Sequence, residues 1–582
     1  MNIFEMDVLL YLLKEKYHNQ RIIAESTGYS LGVINKSLNN LKNNGYIDKQ
    51  MKLMDKSKKE IEINRPKNAI ILAAGFGMRM IPINLETPKA LIEIKGETLI
   101  ERLIKQLHEV DITNITIVVG FMKERFEYLI DEYGVKLVFN DQYSEKNNLH
   151  SLACVADEIF NTYIIPCDIW CVNNPFRKNE LYSWYMVSER QEYDSNVRVN
   201  RKMELISVPR NVNGNKMIGI AYLTGESVNY VKTFMKKNRY NIIYDNAFWE
   251  EALYIKNKMV LYARMVNDTE TIEINTYEQL REFDEDSNNL HSDAIMLISE
   301  VLNVKTSEIK NINVLKKGMT NRSFIFNCKD KKYIMRIPGE GTSFLINRKG
   351  ESEVYNLIMG KEICDNVIYI NPENGYKITE YIENSRVCDS NKRSDVIAAM
   401  NKLKEFHSMK IEVNEYFDIF KNIEFYENLW NGKKSIFKDY LETKENVLSL
   451  QNYINEHVGE KCLTHIDAIP DNFIFDENEN IRLIDWEYAG MQDPHVDIAM
   501  FCIYSMYNKE QIDDLIDIYF DNQCDRAIRL KIYCYIAACG LLWSNWCEYK
   551  RSLGVEFGEY SLRQYHYAKE YYKIFKEELG ES

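Results

Sequence analysis

His465-Ile466-Asp467-Ala468-Ile469-Pro470-Asp471-Asn472 places an aspartate five residues before an asparagine, just behind a histidine. An aspartate so placed can orient an attacking hydroxyl and take its proton, while the asparagine can hold Mg²⁺. Thirteen residues after Asn472, the apolar run Ile481 to Ile484 ends in Asp485, a second oxygen ligand for the same metal. A plain turn accounts for the first three residues, but not for a further aspartate delivered by a strand. A second constellation lies upstream. The apolar run Asn68 to Ala74 leads into Gly75-Phe76-Gly77-Met78-Arg79, and Thr87-Pro88-Lys89 follows ten residues later. Glycines let backbone N–H groups approach phosphates closely, and Arg79 and Lys89 add fixed cations for the same charge. Gly-x-Gly alone fits any strand-to-helix turn; followed by Arg and then Pro-Lys it is far more specific. Asp168 closes the strand Tyr163 to Cys167, at the carboxyl end where open α/β sheets bind ligands. Asn275, after Thr271-Ile272-Glu273-Ile274, offers another oxygen. A carboxylate and a neighbouring oxygen suit Mg²⁺ bridging nucleotide phosphates, although each alone reads better as a cap or turn residue than as a ligand.

These residues need elements to hold them, and 582 residues suffice for several domains. Apolar residues are 45% and charged residues 27%, which excludes wholesale disorder. A net charge of −14 argues against a nucleic-acid coat. Twelve cysteines are too sparse for a disulfide scaffold. Cys167 and Cys171 have no histidine near them in sequence, so buried thiols are expected there rather than zinc. No run approaches 18 apolar residues, and Val8 to Leu13 is too short for a secretion signal. The expectation is a reduced, cytoplasmic protein without membrane insertion. Residues 1–60 look all-helical, with ten Lys/Arg against seven Asp/Glu. Strand and helix signals then alternate over 67–284, polar Asp284 to Asn289 reads as a linker, and 290–582 holds a short strand-rich lobe before a long helical one. The fold class expected is multidomain α/β and α+β.

Leu72-Ala73-Ala74-Gly75-Phe76-Gly77-Met78-Arg79, Pro88-Lys89, Asp168 and Glu273-Ile274-Asn275 together resemble the sugar-phosphate nucleotidyltransferase superfamily, a Rossmann-like α/β fold. Val119-Gly120-Phe121, Asn140-Asp141-Gln142-Tyr143, Asn147-Asn148-Leu149-His150-Ser151 and Tyr244-Asp245-Asn246-Ala247-Phe248-Trp249 point to its bacterial CTP:phosphocholine cytidylyltransferase branch. The resemblance implies CTP binding by Leu72, Ala73, Ala74, Gly75, Gly77, Arg79, Lys89 and Gly120, catalysis by Arg79 and Lys89, and Mg²⁺ held by Asp168 and Asn275. Asp is the residue expected at position 275, and Asn keeps the oxygen while lowering the charge. A quaternary ammonium has no N–H to donate, so aromatic faces and carboxylates must recognise it. Tyr244, Asp245, Trp249 and Glu273 are of the right types for phosphocholine, with ordinary packing as the alternative.

The His465-to-Asp485 set, Leu315 to Phe324, Tyr333-Ile334-Met335-Arg336-Ile337-Pro338-Gly339 and Thr379-Glu380-Tyr381-Ile382 resemble the choline/ethanolamine kinase and aminoglycoside phosphotransferase superfamily, a two-lobed protein-kinase-like fold. The resemblance implies Asp467 as catalytic residue and Asn472 and Asp485 as metal ligands. It implies ATP binding by Asn321, Ser323, Arg336, Glu351, Glu380 and Ile382, with Glu353 the rival of Glu351 as the acid pairing Arg336. Arg336 and Trp543-Ser544-Asn545-Trp546 favour the choline kinase branch. Glu487, Tyr488, Trp543 and Trp546 would form the choline cage, a core stripe being the alternative.

Residues 1–60 resemble a MarR-like winged helix-turn-helix. DNA binding is one reading; a protein-interaction or regulatory module is preferred, because the second helix offers Lys36 and Lys42 but no arginine. The expectation for the whole chain is an Mg²⁺-dependent bifunctional enzyme. It would phosphorylate choline with ATP, then transfer a cytidylyl group from CTP to phosphocholine. The alternatives are the same chemistry on ethanolamine or another amino alcohol, and a DNA-binding regulator that senses nucleotide or choline.

Overall fold

The computed structural model describes residues 1–193, 195–209, 212–315, 321–339, 345–553, 555 and 557–580, with the backbone alone at Met78 and Leu85. The chain divides into two compact units, Met1–Met296 and Leu297–Ser582.

The first unit begins with the helices Ile3–Lys14, Gln20–Thr27 and Leu31–Asn43. Asn2, Asn19 and Ser30 cap their N-termini by accepting from backbone N–H groups. Gly28, at φ 73°, ends the second helix in a left-handed turn that a side chain would resist. A single β-bridge, Ile47 with Leu53, makes the wing. The Lys-rich stretch expected to be wing or linker is divided: Lys49 to Lys52 turns the wing, and Lys56 to Lys59 lies on the helix Asp55–Asn64, which runs past residue 60. These helices do not form a separate core. Val8, Leu9, Ile23, Ile34 and Leu38 belong to the same buried cluster as Ile71 and Ile117 of the following sheet and Ile104 and Leu107 of the helix Leu99–His108 packed with it. Tyr29 and Tyr182 hydroxyls both donate to the half-buried Asp7 carboxylate, at 2.5 and 2.8 Å. The end of the fourth helix is clamped as well: Asn161 Nδ2 donates to the Ile63 and Arg65 carbonyls, and Thr224 Oγ1 to Asn64 Oδ1.

The sheet of this unit has ten strands. Lys136–Phe139, Ile115–Val119, Asn68–Ala73 and Thr162–Pro166 lie side by side and parallel; Gly214–Leu223, Trp184–Glu192, Lys258–Val266, Glu204–Ser207 and Val197–Val199 extend it as a mixed sheet, and Tyr254–Ile255 pairs with Lys258–Val266. The strand Asn68–Ala73, apolar from Ala69 onward, is buried along its length, as a central parallel strand must be. Its register sets Leu72 beside Pro166, so the glycine loop and Asp168 emerge together. The ribbon of Ile169–Cys171 and Thr271–Glu273 then brings Asn275 to the same edge. The polar stretch read as a linker is instead pinned: Ser287 Oγ donates to the Glu93 carbonyl, and Glu93 N to Asn289 Oδ1.

In the second unit, Ile309–Val314, Asn321–Cys328, Lys331–Pro338, Lys377–Glu380 and Val367–Ile370 form an antiparallel sheet in that order, with the helix Arg348–Ile358 between its third and fourth sheet neighbours in sequence. A helical lobe follows, its core built around Arg526–Ser552. No run long enough to cross a membrane was expected, yet this helix is long and apolar enough by length and composition; 83% of that stretch is buried inside the unit. Two small hairpins carry the catalytic loop, Cys462–Thr464 with Gly490–Gln492 and Phe473–Phe475 with Ile481–Leu483.

Candidate active sites

In the first unit, a cavity of about 390 Å³ opens at the carboxyl end of the parallel strands. Leu72, Ala73, Ala74, Gly75, Gly77, Lys89 and Asp168 line it, as expected, together with Tyr143, Glu145, Asn147, Asn148 and Ser151. Gly75 faces open space, and Gly77 adopts a left-handed φ of 67°, where a side chain would be strained and its Cβ would lie 3.2 Å from Lys89 Cβ. Lys89 Nζ donates to Asp168 Oδ2 at 2.6 Å and to Asn275 Oδ1 at 2.7 Å. Arg79 Nη2 donates to the same Asn275 oxygen at 3.1 Å. Two cations and two oxygens thus converge at the mouth of the glycine loop, where a polyphosphate would meet them. Gly120 does not line the cavity. A Cβ there would lie 2.6 Å from the Ala74 carbonyl and from the Tyr143 ring, so the glycine is what lets Tyr143 close the wall.

Behind that wall, Asn140 Nδ2 donates to Ser151 Oγ at 3.0 Å, and Asn140 Oδ1 lies 2.9 Å from His150 Nδ1. Burial lowers the His150 pKa, so the neutral ring donates to Asn140 from Nδ1. These residues fix the helix Asn148–Cys154 against the cavity. Only their sequence neighbourhood, not their pattern, signalled it.

The four residues expected to cage phosphocholine are not gathered into this cavity. Trp249 is 1% exposed, tilted against Tyr185 in the core, and Tyr244 packs edge-on against Phe234. Apolar burial claims both rings. Asp245 pairs with Lys146 at 3.2 Å, and Glu273 lies on the ribbon opposite Ile169. The neighbouring Asn246 is the one that lines the cavity. Cys167 and Cys171 are free thiols, both pushed up to about 12 by burial.

The second unit holds a cavity of about 730 Å³. Asn321, Ser323, Arg336, Thr379 and Glu487 line one side of it, Asp467, Asn472 and Asp485 the floor, and Tyr488, Trp543 and Trp546 the far wall. Of the loop expected at Leu315 to Phe324, Lys316 to Thr320 lie outside the described residues, and Asn321 to Phe324 belong to the strand Asn321–Cys328. Arg336 forms a two-armed pair with Glu351, at 2.5 and 2.9 Å, while Glu353 is exposed. The Arg336 charge holds the Glu351 carboxyl below its usual range despite burial. Glu380 faces away from the cavity, bonded to Lys331 and Asn366, and Ile382 is not part of the lining.

Asn472 Nδ2 donates to the Asp467 carbonyl at 2.9 Å and to its carboxylate at 3.2 Å. Burial, then the charges of Asp485 and Glu487, push the Asp467 carboxyl up to about 8. Ile466 and Asp485 both adopt left-handed backbone, at φ 68° and 66°. A β-branched residue there is strained, and strain of this kind persists only where the surroundings impose it. Here Asp497 imposes it, accepting from the N–H groups of His465 at 3.0 Å and Ile466 at 2.7 Å. His407 Nε2 approaches the same carboxylate at 2.9 Å.

At the far wall, Tyr488 and Trp543 meet edge-to-face at 5.5 Å, and Trp543 and Trp546 at 5.7 Å. The structure adds Tyr504, Phe557 and Tyr560 to this aromatic lining, from segments with no distinctive sequence pattern. Glu487 is engaged elsewhere. It accepts from Asn321 Nδ2 at 2.9 Å and lies 3.5 Å from Arg348. It therefore ties the sheet to the catalytic loop, where it was expected to face the acceptor.

Each part of the chain is similar to known proteins. Residues 312–535 match the choline/ethanolamine kinase family, 69–181 the MobA-like NTP transferase domain, and 1–48 a winged helix-turn-helix DNA-binding family. The choline-phosphate cytidylyltransferase of Streptococcus pneumoniae is 32% identical over 222 residues, 37% of this chain and 96% of that protein. Protein LicA of Haemophilus influenzae is 27% identical over 263 residues, 42% of this chain and 96% of that one. A crystal structure of choline kinase LicA from Streptococcus pneumoniae aligns with 49% of this chain and 100% of its own, at 27% identity and a TM-score of 0.43. The chain belongs to the choline-phosphate cytidylyltransferase family, and it carries a choline/ethanolamine kinase domain fused in the same polypeptide.

Proposed function

We propose that this enzyme makes CDP-choline in two steps. In the second unit, the choline hydroxyl attacks the γ-phosphorus of ATP, its proton passing to Asp467, and ADP and phosphocholine leave. In the first unit, a phosphate oxygen of phosphocholine attacks the α-phosphorus of CTP, and pyrophosphate leaves. The observation that carries the reading is the 730 Å³ cavity, in which Asp467, Asn472 and Asp485 face a wall of six aromatic side chains. That wall suits a quaternary ammonium, and the floor suits phosphoryl transfer.

The donor sets fit Mg²⁺. In the kinase unit, burial and then the Asp485 charge raise the carboxyls of both Asp467 and Glu487, so negative charge is crowded there; in the other, two oxygens converge on the Lys89 ammonium. Asn472 with Asp485, and Asp168 with Asn275, would hold the ion, which neutralises phosphate charge when bound. Lys89 and Arg79 add their charges at the α-phosphate, and Arg336, fixed by Glu351, does so for ATP. Phosphocholine enters beside Asn246, which lines the cavity next to Asp245. Twelve free cysteines suit a reduced cytoplasm. The winged helix acts as a regulatory or docking module of the first unit.

A phosphorus NMR time course with choline, ATP, CTP and Mg²⁺ tests this. Transient phosphocholine, then CDP-choline and pyrophosphate, is the expected result. Asp467→Ala should stop only the first step and Asp168→Ala only the second. Ethanolamine run in parallel decides the alcohol: Trp543→Ala should lose choline turnover far more than ethanolamine turnover.

A further inference from the structure

An alcohol that carries a permanent positive charge loses hydration when it enters an aromatic-lined cavity. Ring faces return part of that loss, and a nearby carboxylate returns more. Five carboxylates line the second unit's cavity: Asp365, Asp467, Asp471, Asp485 and Glu487. Four have other employment. Asp467 and Asp485 belong to the transfer chemistry. Glu487 is bonded to Asn321 and lies by Arg348. Asp365 is buried beside Lys377, 4.0 Å from its ammonium.

Asp471 differs from all of them. The turn Pro470–Asn472 buries Asn472 against Asp467 and leaves Asp471 exposed at the cavity's edge. Its Oδ2 accepts from the Tyr504 hydroxyl at 2.8 Å. Tyr504 in turn meets Tyr560 edge-to-face at 5.9 Å, so the carboxylate is fastened to the aromatic end of the cavity and not to its sheet side. No basic side chain bonds to it among the described residues.

Resting on the reading of this unit as an amino-alcohol kinase, we propose that Asp471, held by Tyr504, is the counter-charge that selects a positively charged acceptor alcohol. Its field draws the cation to the cavity, and its second oxygen stays turned to the ammonium while the rings enclose the methyl groups. The role is one of binding and specificity, and Asp471 takes no part in the transfer itself.

The test uses the full-length chain with ATP and Mg²⁺, and two alcohols of one shape: choline, and its uncharged carbon isostere 3,3-dimethylbutan-1-ol as competitor. In Asp471→Asn, the choline KM should rise about tenfold, equivalent to about 1.4 kcal/mol, with kcat and the ATP KM within about twofold. The inhibition constant of the neutral isostere should stay put, so the preference for the charged alcohol falls about tenfold. Asp471→Glu should restore most of it, and Tyr504→Phe, which keeps the carboxylate, should cost only about two- to threefold. Added salt should weaken choline capture by wild type more than by Asp471→Asn. If Asp471→Asn weakens both alcohols equally, or lowers kcat alone, the residue is structural and the proposal falls. If wild type turns over choline and the variant keeps the preference, the proposal falls while the kinase reading stands. A wild-type chain that phosphorylates no amino alcohol overturns both.

Discussion

Asn321 Nδ2 donates to Glu487 Oε2 at 2.9 Å, joining the second strand of the kinase sheet to the loop that carries Asp485. Burial, then the Asp485 charge, push the Glu487 carboxyl up to about 7. The bond holds the nucleotide-side strand over the catalytic floor, so its loss should be felt by ATP. Glu487→Ala is expected to raise the ATP KM about tenfold while the choline KM moves less than about twofold. Steady-state kinetics with each substrate varied in turn checks this, and the reverse pattern would return Glu487 to the acceptor site.

Asp467 weakens the fold it serves. Its carboxyl titrates near 8 in the folded protein against 3.8 ordinarily. Between those values the folded state keeps a proton that the unfolded chain has released, so its contribution to stability falls as pH rises from about 4 to 8. Asp467→Asn should therefore abolish choline phosphorylation yet raise the melting temperature of the Mg²⁺-free protein at pH 8 by about 2 °C or more. Scanning calorimetry at pH 8 and pH 5 should show the gain shrinking at the lower pH.

Of the two side-chain oxygens that meet Lys89, one is a carboxylate, from Asp168, and the other an amide oxygen, from Asn275. Asn275→Asp adds a negative charge without changing the shape. It should lower the Mg²⁺ concentration for half-maximal pyrophosphate release about threefold, since ligand charge count sets divalent affinity. A magnesium titration of pyrophosphate release decides it; an unmoved midpoint would remove position 275 from the metal site.

Tyr182 precedes a central strand of the nucleotide-binding sheet, yet its hydroxyl ends on Asp7 of the first helix. Burial raises the Asp7 carboxyl, and the two phenols oppose that rise. Tyr182→Phe should cost about 1–3 kcal/mol by leaving a half-buried acceptor short of one donor. The loss should appear in the thermal inactivation of cytidylyl transfer and not of choline phosphorylation.

The motifs that carry chemistry were legible because their spacing is local. His465 to Asn472, Asp485, and Gly75 to Arg79 each lie on one loop or strand end, and the structure places Asp467, Asn472, Asp485, Gly75 and Gly77 in the cavity linings. Partnerships across long separations were less so. Tyr504, Phe557 and Tyr560 reach the acceptor wall from ordinary-looking segments, and Trp249 was drawn into the core by the apolar surface that made it a candidate. Glu487 has the right type for an ammonium, but Arg348 and Asn321 stand close enough to claim it. The polar run from Asp284 to Asn289 has a linker's composition and is nevertheless fixed, because backbone groups near Glu93 need its side chains.

The shared core between the first three helices and the parallel sheet has a hydrodynamic consequence. A module on a flexible tether reorients on its own timescale, whereas one sealed by Asp7, Asn64 and a continuous apolar cluster must turn with the body that holds it. A fluorescent label on the exposed Lys36 should therefore report the slow rotation of the whole Met1–Met296 unit, and whatever grips that helix takes hold of the cytidylyl site as a solid object.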